Sequence, residues 1–275
     1  MKIKPVVFFI LTSWSISLQG QVLGRPLAAS YQGMGAYSLH HVDVFSFNSN
    51  QASLAQMKNA GAGVYGERRF LLEELSNYHL ALAVPTRSGN FGLKANYFGS
   101  AVFNETQIGF AYARKLGNKI DVGVQFNYNG IKAAGYDKAS AISFEAGTVF
   151  HLSEKLHTGF HVNNPVGGKF GKGHSEKLPS VYTAGFGYDA SEKFFFSLEM
   201  VKEEEQEVTI VAGFQYKFIP QILLRTGISS ATSSISFGLG ISLRNLRFDV
   251  AASYHPQLGI SPGLLLLYDF KHRED

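Results

Sequence analysis

Large apolar side chains alternate with polar or very small ones along most of this chain. In residues 120–129, Ile, Val, Val, Phe and Tyr occupy every second position, and Asp, Gly, Gln and Asn lie between them. Residues 207–218 and 246–255 show the same period of two. Successive side chains of a β-strand point to opposite faces, so each stretch is predicted to be a strand with one apolar and one polar face.

Fourteen such segments are predicted from about residue 60 to the end. They are residues 60–68, 77–85, 90–98, 104–114, 119–129, 140–152, 156–163, 180–188, 193–201, 207–218, 221–228, 234–243, 246–255 and 263–270. Several have the length of about 9–11 residues that a tilted strand needs to cross a bilayer. We therefore predict an all-β fold: a closed antiparallel transmembrane β-barrel of about 14 strands with a short N-terminal hatch or plug segment.

The connections between these segments alternate between short turns, such as residues 116–119 and 153–155, and longer loops, such as 130–139 and 164–179. Outer-membrane barrels have short periplasmic turns and longer outer loops. Unpaired backbone groups are costly in hydrocarbon, so such a sheet must close. The sequence predicts a barrel in the bacterial outer membrane with both termini in the periplasm.

The pattern alone does not say which face points inward. A soluble secreted β-protein or a lipocalin-like carrier shows the same alternation with the apolar face inside. Tyrosines near the segment ends favour the membrane barrel, because aromatic girdles flank the lipid-facing band. They lie on the apolar face, at Tyr97, Tyr112, Tyr128, Tyr188, Tyr216, Tyr254 and Tyr268.

Residues 1–20 have the layout of a secretory signal peptide: Lys2 and Lys4, then a short apolar run, then small polar residues. Residues 21–59 are predicted to be the hatch segment and residues 60–275 the barrel. The chain has no Cys, which excludes disulfides and cysteine-based metal sites. Its formal charge of +4 includes Lys2 and Lys4, which a cleaved signal peptide would remove; the remaining slight basicity gives no support to a nucleic-acid partner, which needs a concentrated basic face.

A helix start is predicted in the hatch segment, with Asn50 or Ser49 as its N-cap. The motif Gly33-Met-Gly-Ala-Tyr37, followed by Asn50-Gln-Ala-Ser-Leu-Ala55, resembles the opening of FadL-type barrels. Its hatch residues are Gly33, Gly35, Asn50 and Leu54. That superfamily includes the PorV/PorQ group of the type IX secretion system. The resemblance implies a fourteen-stranded outer-membrane barrel with the hatch inside, although Ala36 and Gln51 depart from the usual Gly and Pro.

Eight ionisable residues fall on the face predicted to line the lumen. They are Lys94, Asp121, Glu145, Glu199, Lys217, Arg225, Arg247 and Asp249. In one interpretation they form a polar path or a docking network for the hatch. In the other they pair across neighbouring strands and so satisfy the polar groups of a filled interior. The pairing is favoured because buried polar groups need hydrogen-bond partners.

The chain carries no G-x-S-x-G or H-E-x-x-H motif, so neither an enzyme nor a cofactor is predicted. His157 and His161 are about 13 Å apart along one predicted strand, too far to share a metal. His40 and His41 precede Asp43, where a solvated turn is favoured over a metal site.

Two functions follow from the resemblance. The first is an accessory or substrate-handling barrel of secretion, or a narrow conduit, which implies a plugged lumen and secretion-system proteins as partners. The alternative is a passive transporter or binder of small hydrophobic compounds, which implies an apolar pocket between hatch and wall and a gap for lateral exit. Both place the barrel in contact with outer-membrane lipid.

Overall fold

The computed structural model describes Tyr31, Met34 and residues 36–170, 176–231 and 234–270. Within these ranges fourteen antiparallel strands close into one barrel, and the first strand pairs with the last. The predicted signal peptide, Gly33 and Gly35 lie outside the described residues. No helix in the described part of the chain has the length and apolarity needed to span a membrane.

The barrel strands agree closely with the predicted segments. Their bounds are β1 (Ala60–Arg68), β2 (Ser76–Thr86), β3 (Gly89–Gly99), β4 (Phe103–Leu116), β5 (Ile120–Ala133), β6 (Ala139–His151), β7 (Leu156–Asn163), β10 (Val181–Asp189), β11 (Phe194–Glu203), β12 (Thr209–Ile219), β13 (Ile222–Ser229), β14 (Ser234–Leu243), β15 (Leu246–His255) and β16 (Gly259–Phe270). The two remaining strands, β8 (Lys169–Phe170) and β9 (Glu176–Lys177), form a small hairpin in the loop between β7 and β10. Two-residue strands leave no alternation in a sequence, and this hairpin was not predicted.

The two ends of the barrel differ in their connections, as predicted. β1 begins and β16 ends at the same edge, where Ala60 pairs with Phe270. The connections at this short-turn edge leave only about two to four residues between strands, as between Thr86 and Gly89. The opposite long-loop edge carries the longer connections, including the β8–β9 hairpin.

The faces are also as predicted, with the apolar side chains outside. On β5, Gln125 is fully buried in the barrel, whereas the neighbouring Phe126 is 59% exposed on the outer surface. Tyr128, Tyr188, Tyr254 and Tyr268 are all exposed on that outer surface near strand ends. A soluble barrel with this sequence would have buried them.

Residues 36–57, which we call the plug segment, lie inside the barrel. Two short 3₁₀ helices, Ser46–Asn48 and Gln51–Gln56, make up its ordered core. Asn50 is the N-cap of the second helix, as predicted, and its side chain accepts a hydrogen bond from the Ala52 N–H. A run of six residues is too short for a stable α-helix on its own, so packing against the barrel wall holds this conformation.

The plug segment packs on the inner wall near the short-turn edge. Phe45, Phe47 and Leu54 are fully buried there against small wall residues such as Ala83 and Ala113. One expectation fails on β16: Leu265 and Leu267 face inward although the lumen was predicted to be lined by small and hydrophilic residues. These leucines pack against the apolar side chains of the plug, in the same hydrophobic cluster.

Candidate functional site

A buried carboxylate inside the barrel joins the plug to the part of the wall formed by β3 to β7. Glu145 on β6 is 1% exposed and accepts hydrogen bonds from several donors. The donors are Lys94 on β3 (3.3 Å), His161 on β7 (3.1 Å), Gln125 (2.9 Å) and Asn127 (2.6 Å) on β5, and the Gln51 amide of the plug. With so many donors, this carboxylate is fully satisfied and acts as a docking point for the plug.

A second cluster holds the beginning of the plug. Arg225 on β13 and Arg247 on β15 reach the Asp43 carboxylate of the plug at 3.1 and 2.8 Å. Asp249 contacts the same two arginines, at 3.6 Å from Arg225 and 3.0 Å from Arg247. The Tyr31 hydroxyl donates to Asp43, and its ring lies 4.4 Å from the Arg225 guanidinium carbon.

The predicted lumen residues have partners both on neighbouring strands and across the lumen. Glu145 on β6 contacts His161 on β7, and Asp121 on β5 contacts His151 on β6. Lys94 and Glu145 are on β3 and β6, and Arg225 and Asp249 are on β13 and β15, so these pairs do not join neighbouring strands. Arg247 and Asp249 pair within one strand, as their spacing suggested. The plug adds polar groups of its own, such as those of Gln51 and Asp43.

Three of the eight residues lie outside these two clusters. Asp121 contacts His151 at 2.8 Å and accepts a hydrogen bond from the Gln56 amide at 2.5 Å. Lys217 is half-buried near His41. Glu199 is 8% exposed, and its Oε1 has no hydrogen-bond partner among the described residues.

The stretch from His40 to Asp43 was favoured as a solvated turn; His40 is exposed, but the prediction is wrong for His41 and Asp43. His41 stacks on Phe195, with ring centroids 5.5 Å apart, and its Nδ1 lies 2.7 Å from the Gln215 amide. Asp43 is held by the two arginines, so its oxygens already have cationic partners. These contacts form because the chain turns into the lumen and away from solvent.

The same contacts shift the pKa values of the two plug residues. Burial lowers the pKa of His41 to about 4, and the nearby positive charge of Lys217 adds to this effect. For Asp43, burial favours the neutral acid, but the Arg247 and Arg225 charges outweigh it and hold its pKa well below the usual range. At neutral pH the plug therefore docks with a neutral histidine and a charged aspartate.

Asn50 of the plug contacts the backbone of the wall between β6 and β7. The Asn50 Nδ2 atom donates to the main-chain oxygens of Thr148 on β6 and Phe160 on β7, both at 3.2 Å. These two residues are partners in the β6–β7 ladder, so their carbonyls are turned toward the lumen. A Cβ on Gly147 would lie 2.1 Å from Asn50 Oδ1, so only glycine allows this approach.

A cavity of about 420 Å³ opens in the outer surface of the wall at this place. Its lining is almost entirely apolar and comes from β6, β7, β10 and β11. The main contributors are Ala146, Phe160, Val162, Tyr182, Ala184 and Met200. A cavity of this size, within the range of about 300–1,000 Å³ typical of small-molecule sites, has room for a single-ring compound or part of an acyl chain.

Sequence reasoning placed Asn50 and Leu54 in the hatch motif, and the structure puts Asn50 at the wall and Leu54 in the apolar contact with the barrel. The sequence did not identify the partners of the plug on the wall, among them His151, His157 and Asp189, or the plug residue Gln56. The wall residues were recognisable only as polar residues on the predicted inner face, because a period of two gives the face on which a side chain lies and not its neighbour across the lumen.

The comparisons with known proteins support the fold. The sequence matches no family model and no curated protein. Among solved structures, the CymD monoaromatic hydrocarbon channel is 15% identical with a TM-score of 0.64, covering 90% of this chain and 98% of its own. The Pseudomonas putida toluene transporter TodX is 10% identical with a TM-score of 0.65, covering 92% and 100%. A Pseudomonas aeruginosa FadL homologue is 11% identical with a TM-score of 0.61, covering 89% and 98%. The chain thus shares the closed barrel fold of FadL-type and TodX-type proteins.

Proposed function

We propose that this chain is an outer-membrane barrel that binds small hydrophobic compounds and lets them pass between its lumen and the lipid. The wall cavity outside Thr148 and Phe160 is the site where such a compound enters the membrane phase. This is the FadL-like alternative raised by the sequence, and it is favoured over the secretion interpretation.

The single observation that carries the proposal is the position of the cavity. It lies in the apolar outer surface, at the point where Asn50 of the plug draws two ladder carbonyls inward. A movement of the plug would therefore act on the wall at the cavity. The similar structures named as a toluene transporter and a monoaromatic hydrocarbon channel add support from a shared fold.

The orientation proposed from the sequence is compatible with this arrangement. The short-turn edge, which the plug occupies, would face the periplasm, and the β8–β9 hairpin would face outward. The signal peptide and the periplasmic termini belong to the same proposal. The exposed apolar belt of the outer surface makes membrane lipid the barrel's immediate partner.

The test is uptake of a labelled monoaromatic such as toluene by Gram-negative cells that lack channels of their own for such compounds. Ala184→Trp places a large side chain in the cavity, and Ala252→Trp places the same side chain on the outer surface of β15. Loss of uptake in the first variant and retention in the second supports the proposal. Equal uptake by wild type, both variants and cells without the barrel contradicts it.

A second function, the handling of secretion substrates by a barrel of the PorV/PorQ type, is favoured by one observation. The plug is anchored to the wall on several sides, through Glu145 and through Asp43, which suits a barrel without a through-path. Planar-bilayer conductance of the purified protein, together with mass spectrometry of bound lipid, separates the two. Steady ion conductance or a co-purified hydrophobic ligand counts against the secretion role.

A further inference from the structure

Four buried side chains form one continuous array at the short-turn edge. His151 at the end of β6 and His157 at the start of β7 contact each other through their Nδ1 atoms, 2.9 Å apart. The His151 Nε2 lies 2.8 Å from Asp121 on β5, and the His157 Nε2 lies 3.2 Å from Asp189 on β10. All four residues are at most 6% exposed.

The plug segment attaches to both ends of this array. At one end the Gln56 amide donates to Asp121 Oδ2 at 2.5 Å. At the other end Asp189 accepts the Ser38 hydroxyl at 2.7 Å and the Leu39 N–H at 2.9 Å. The first and last turns of the plug are thus fixed to the wall through the two carboxylates, and the histidine pair links these carboxylates to each other.

The number of protons in the array is fixed by its geometry. It has three contacts, Asp121–His151, His151–His157 and His157–Asp189, and each needs one hydrogen between its two atoms. Two ionised aspartates with two neutral imidazoles supply only two hydrogens, so one contact is left without a donor. Two protonated imidazoles supply four hydrogens, and two N–H groups then point at each other in the contact between His151 and His157. Only the state with three protons fills every contact.

Other titratable groups near the array come from the plug and the turns. His41 of the plug interacts electrostatically with Asp189 and with its neighbour His40. The main-chain oxygens of Lys119 and Lys155 accept hydrogen bonds at the strand ends, while both side chains are exposed. Lys115 is the partner of Asp121 in the β4–β5 ladder. Other titratable or charged residues of the short-turn edge include His40, His41, Lys119, Glu154, Lys155, Glu192 and Lys217.

We propose that the array is a pH-sensitive latch that fixes the two ends of the plug to the wall only while it carries three protons. Adding the fourth proton in acid breaks the contact between His151 and His157, and removing the third in base leaves one of the three contacts without a hydrogen. Either change disconnects the two carboxylates from each other and loosens the ends of the plug at Ser38 and Gln56. This device is independent of which compound the barrel carries.

The test is hydrogen exchange of the purified, folded full chain, measured by mass spectrometry from about pH 4 to about pH 9, the range in which imidazoles titrate. Exchange of plug peptides is divided by that of the exposed turn at residues 116–120 at each pH, which removes the intrinsic pH dependence. The latch predicts slowest plug exchange at an intermediate pH and faster exchange on both sides. A ratio that does not change with pH overturns the proposal.

His151→Gln and His157→Gln each leave a single imidazole, so the acid rise should disappear or move down by about one pH unit or more. His255→Gln, at a half-buried residue on the long-loop edge, is the matched control and should keep the wild-type profile. His41→Gln should also keep the acid rise, which separates the latch from the titration of His41. An unchanged acid rise in both array variants overturns the latch.

A measurement on the wild type covers the case in which the array variants do not fold. In ¹⁵N-histidine-labelled protein, the hydrogen shared by His151 and His157 predicts a nitrogen–nitrogen coupling between their Nδ1 atoms at neutral pH. Loss of this coupling in acid supports the latch. Two rings without any mutual coupling at neutral pH overturn it.

Discussion

The ring of Tyr37 lies flat against the backbone of Gly185, so close that a Cβ on this glycine would be 1.9 Å from the tyrosine Cε2 atom. A Cβ on Gly187 would lie 1.9 Å from the Tyr37 carbonyl oxygen, and a Cβ on Gly159, on the neighbouring strand, would lie 3.0 Å from the Tyr37 Cε1 atom. Three glycines on β7 and β10 therefore form a hollow that this side chain fills completely. Tyr37 is fully buried there.

Gly185→Ala is expected to displace Tyr37 and lower the free energy of unfolding by about 1–3 kcal/mol, the usual cost of overpacking. The measurement is chemical unfolding of the folded barrel, followed by its heat-modifiable migration on gels. Gly61→Ala is the matched control, because its Cβ would meet plug and wall atoms at an ordinary 3.5 Å.

A double-mutant cycle identifies the cause. Tyr37→Ala alone removes a buried aromatic ring and should cost about 3–5 kcal/mol. In that background Gly185→Ala has nothing left to displace and should cost nothing further. If the alanine is equally harmful without the tyrosine ring, the hollow is not the reason for this glycine.

Asp43→Asn is expected to destabilise the protein by about 3–5 kcal/mol, because it leaves Arg225 and Arg247 buried with one carboxylate fewer. The measurement is the same unfolding experiment. Glu204→Gln is the control, because it breaks the ion pair between Glu204 and Lys177. Both side chains of this pair are about 40% exposed, and surface ion pairs contribute little to the free energy of unfolding. Equal effects of the two substitutions would show that the Asp43 cluster does not anchor the plug.

The Asp43 contacts also predict an acid limb of stability. The folded-state pKa of Asp43 is held below its ordinary value of 3.8, against the opposing effect of burial, by Arg247 and Arg225. Its contribution to stability is thus fully present above the unfolded pKa and is lost as the pH falls through the folded pKa. Asp43→Asn should flatten the pH dependence of stability below about pH 4.

His41 predicts a second pH dependence at a higher pH. Burial, aided by Lys217, lowers its pKa from 6.5 to about 4, so the unfolded chain binds a proton between these values and the folded chain does not. Stability should therefore fall as the pH drops from 6.5 toward 4. The neutral ring fits its contacts, because Nδ1 accepts from Gln215 and Nε2 donates to the Ser191 carbonyl.

His41→Gln should remove this slope, measured as the unfolding midpoint in urea over the same pH range. His40→Gln, which changes the adjacent and exposed residue, is the control and should retain it. An identical slope in wild type and both variants would assign the effect to another group.

The strands were predictable because alternation records the environment of each side chain, outside or inside, at every step along the chain. Closure and antiparallel order followed from strand number and loop length. The positions of Lys94 and Glu145 on the inner face were predicted in the same way, whereas their contact was not. It depends on barrel width and strand stagger, which no local pattern records.

The reasons for particular glycines also lie outside the sequence pattern. Gly185 and Gly187 lie in the predicted segment 180–188, but the need for glycine at these positions comes from Tyr37, about 150 positions away in the chain. The plug itself has no strong periodicity, since its polar groups pair one by one with the wall. Its docking contacts, such as that of Gln51 with Glu145, appear only in three dimensions.

Glu199→Leu is expected to stabilise the protein by about 1–3 kcal/mol, the cost of an unsatisfied buried polar group. The Glu199 Oε1 atom has no hydrogen-bond partner among the described residues, and the neighbours of Glu199 across the sheet are Gly185 and Val211. Glu145→Leu is the opposite case, because it leaves Lys94 and other donors unpaired, and it should destabilise. A destabilising Glu199→Leu, measured by urea unfolding, would show that this carboxyl has a partner of its own.

Asn50→Asp is expected to loosen the wall between β6 and β7 without undoing the helix start. The aspartate keeps the oxygen that caps the Ala52 N–H, but it replaces the amide donor to the Thr148 and Phe160 carbonyls with an acceptor. Lost donors and the new repulsion should cost about 1–3 kcal/mol. Hydrogen exchange should become faster in β6 and β7 and stay unchanged in β14 and β15, on the other side of the barrel. Because the cavity lies outside these same carbonyls, uptake of a monoaromatic should change in the same variant. Unchanged hydrogen exchange in β6 and β7 would show that Asn50 does not hold the wall in this conformation.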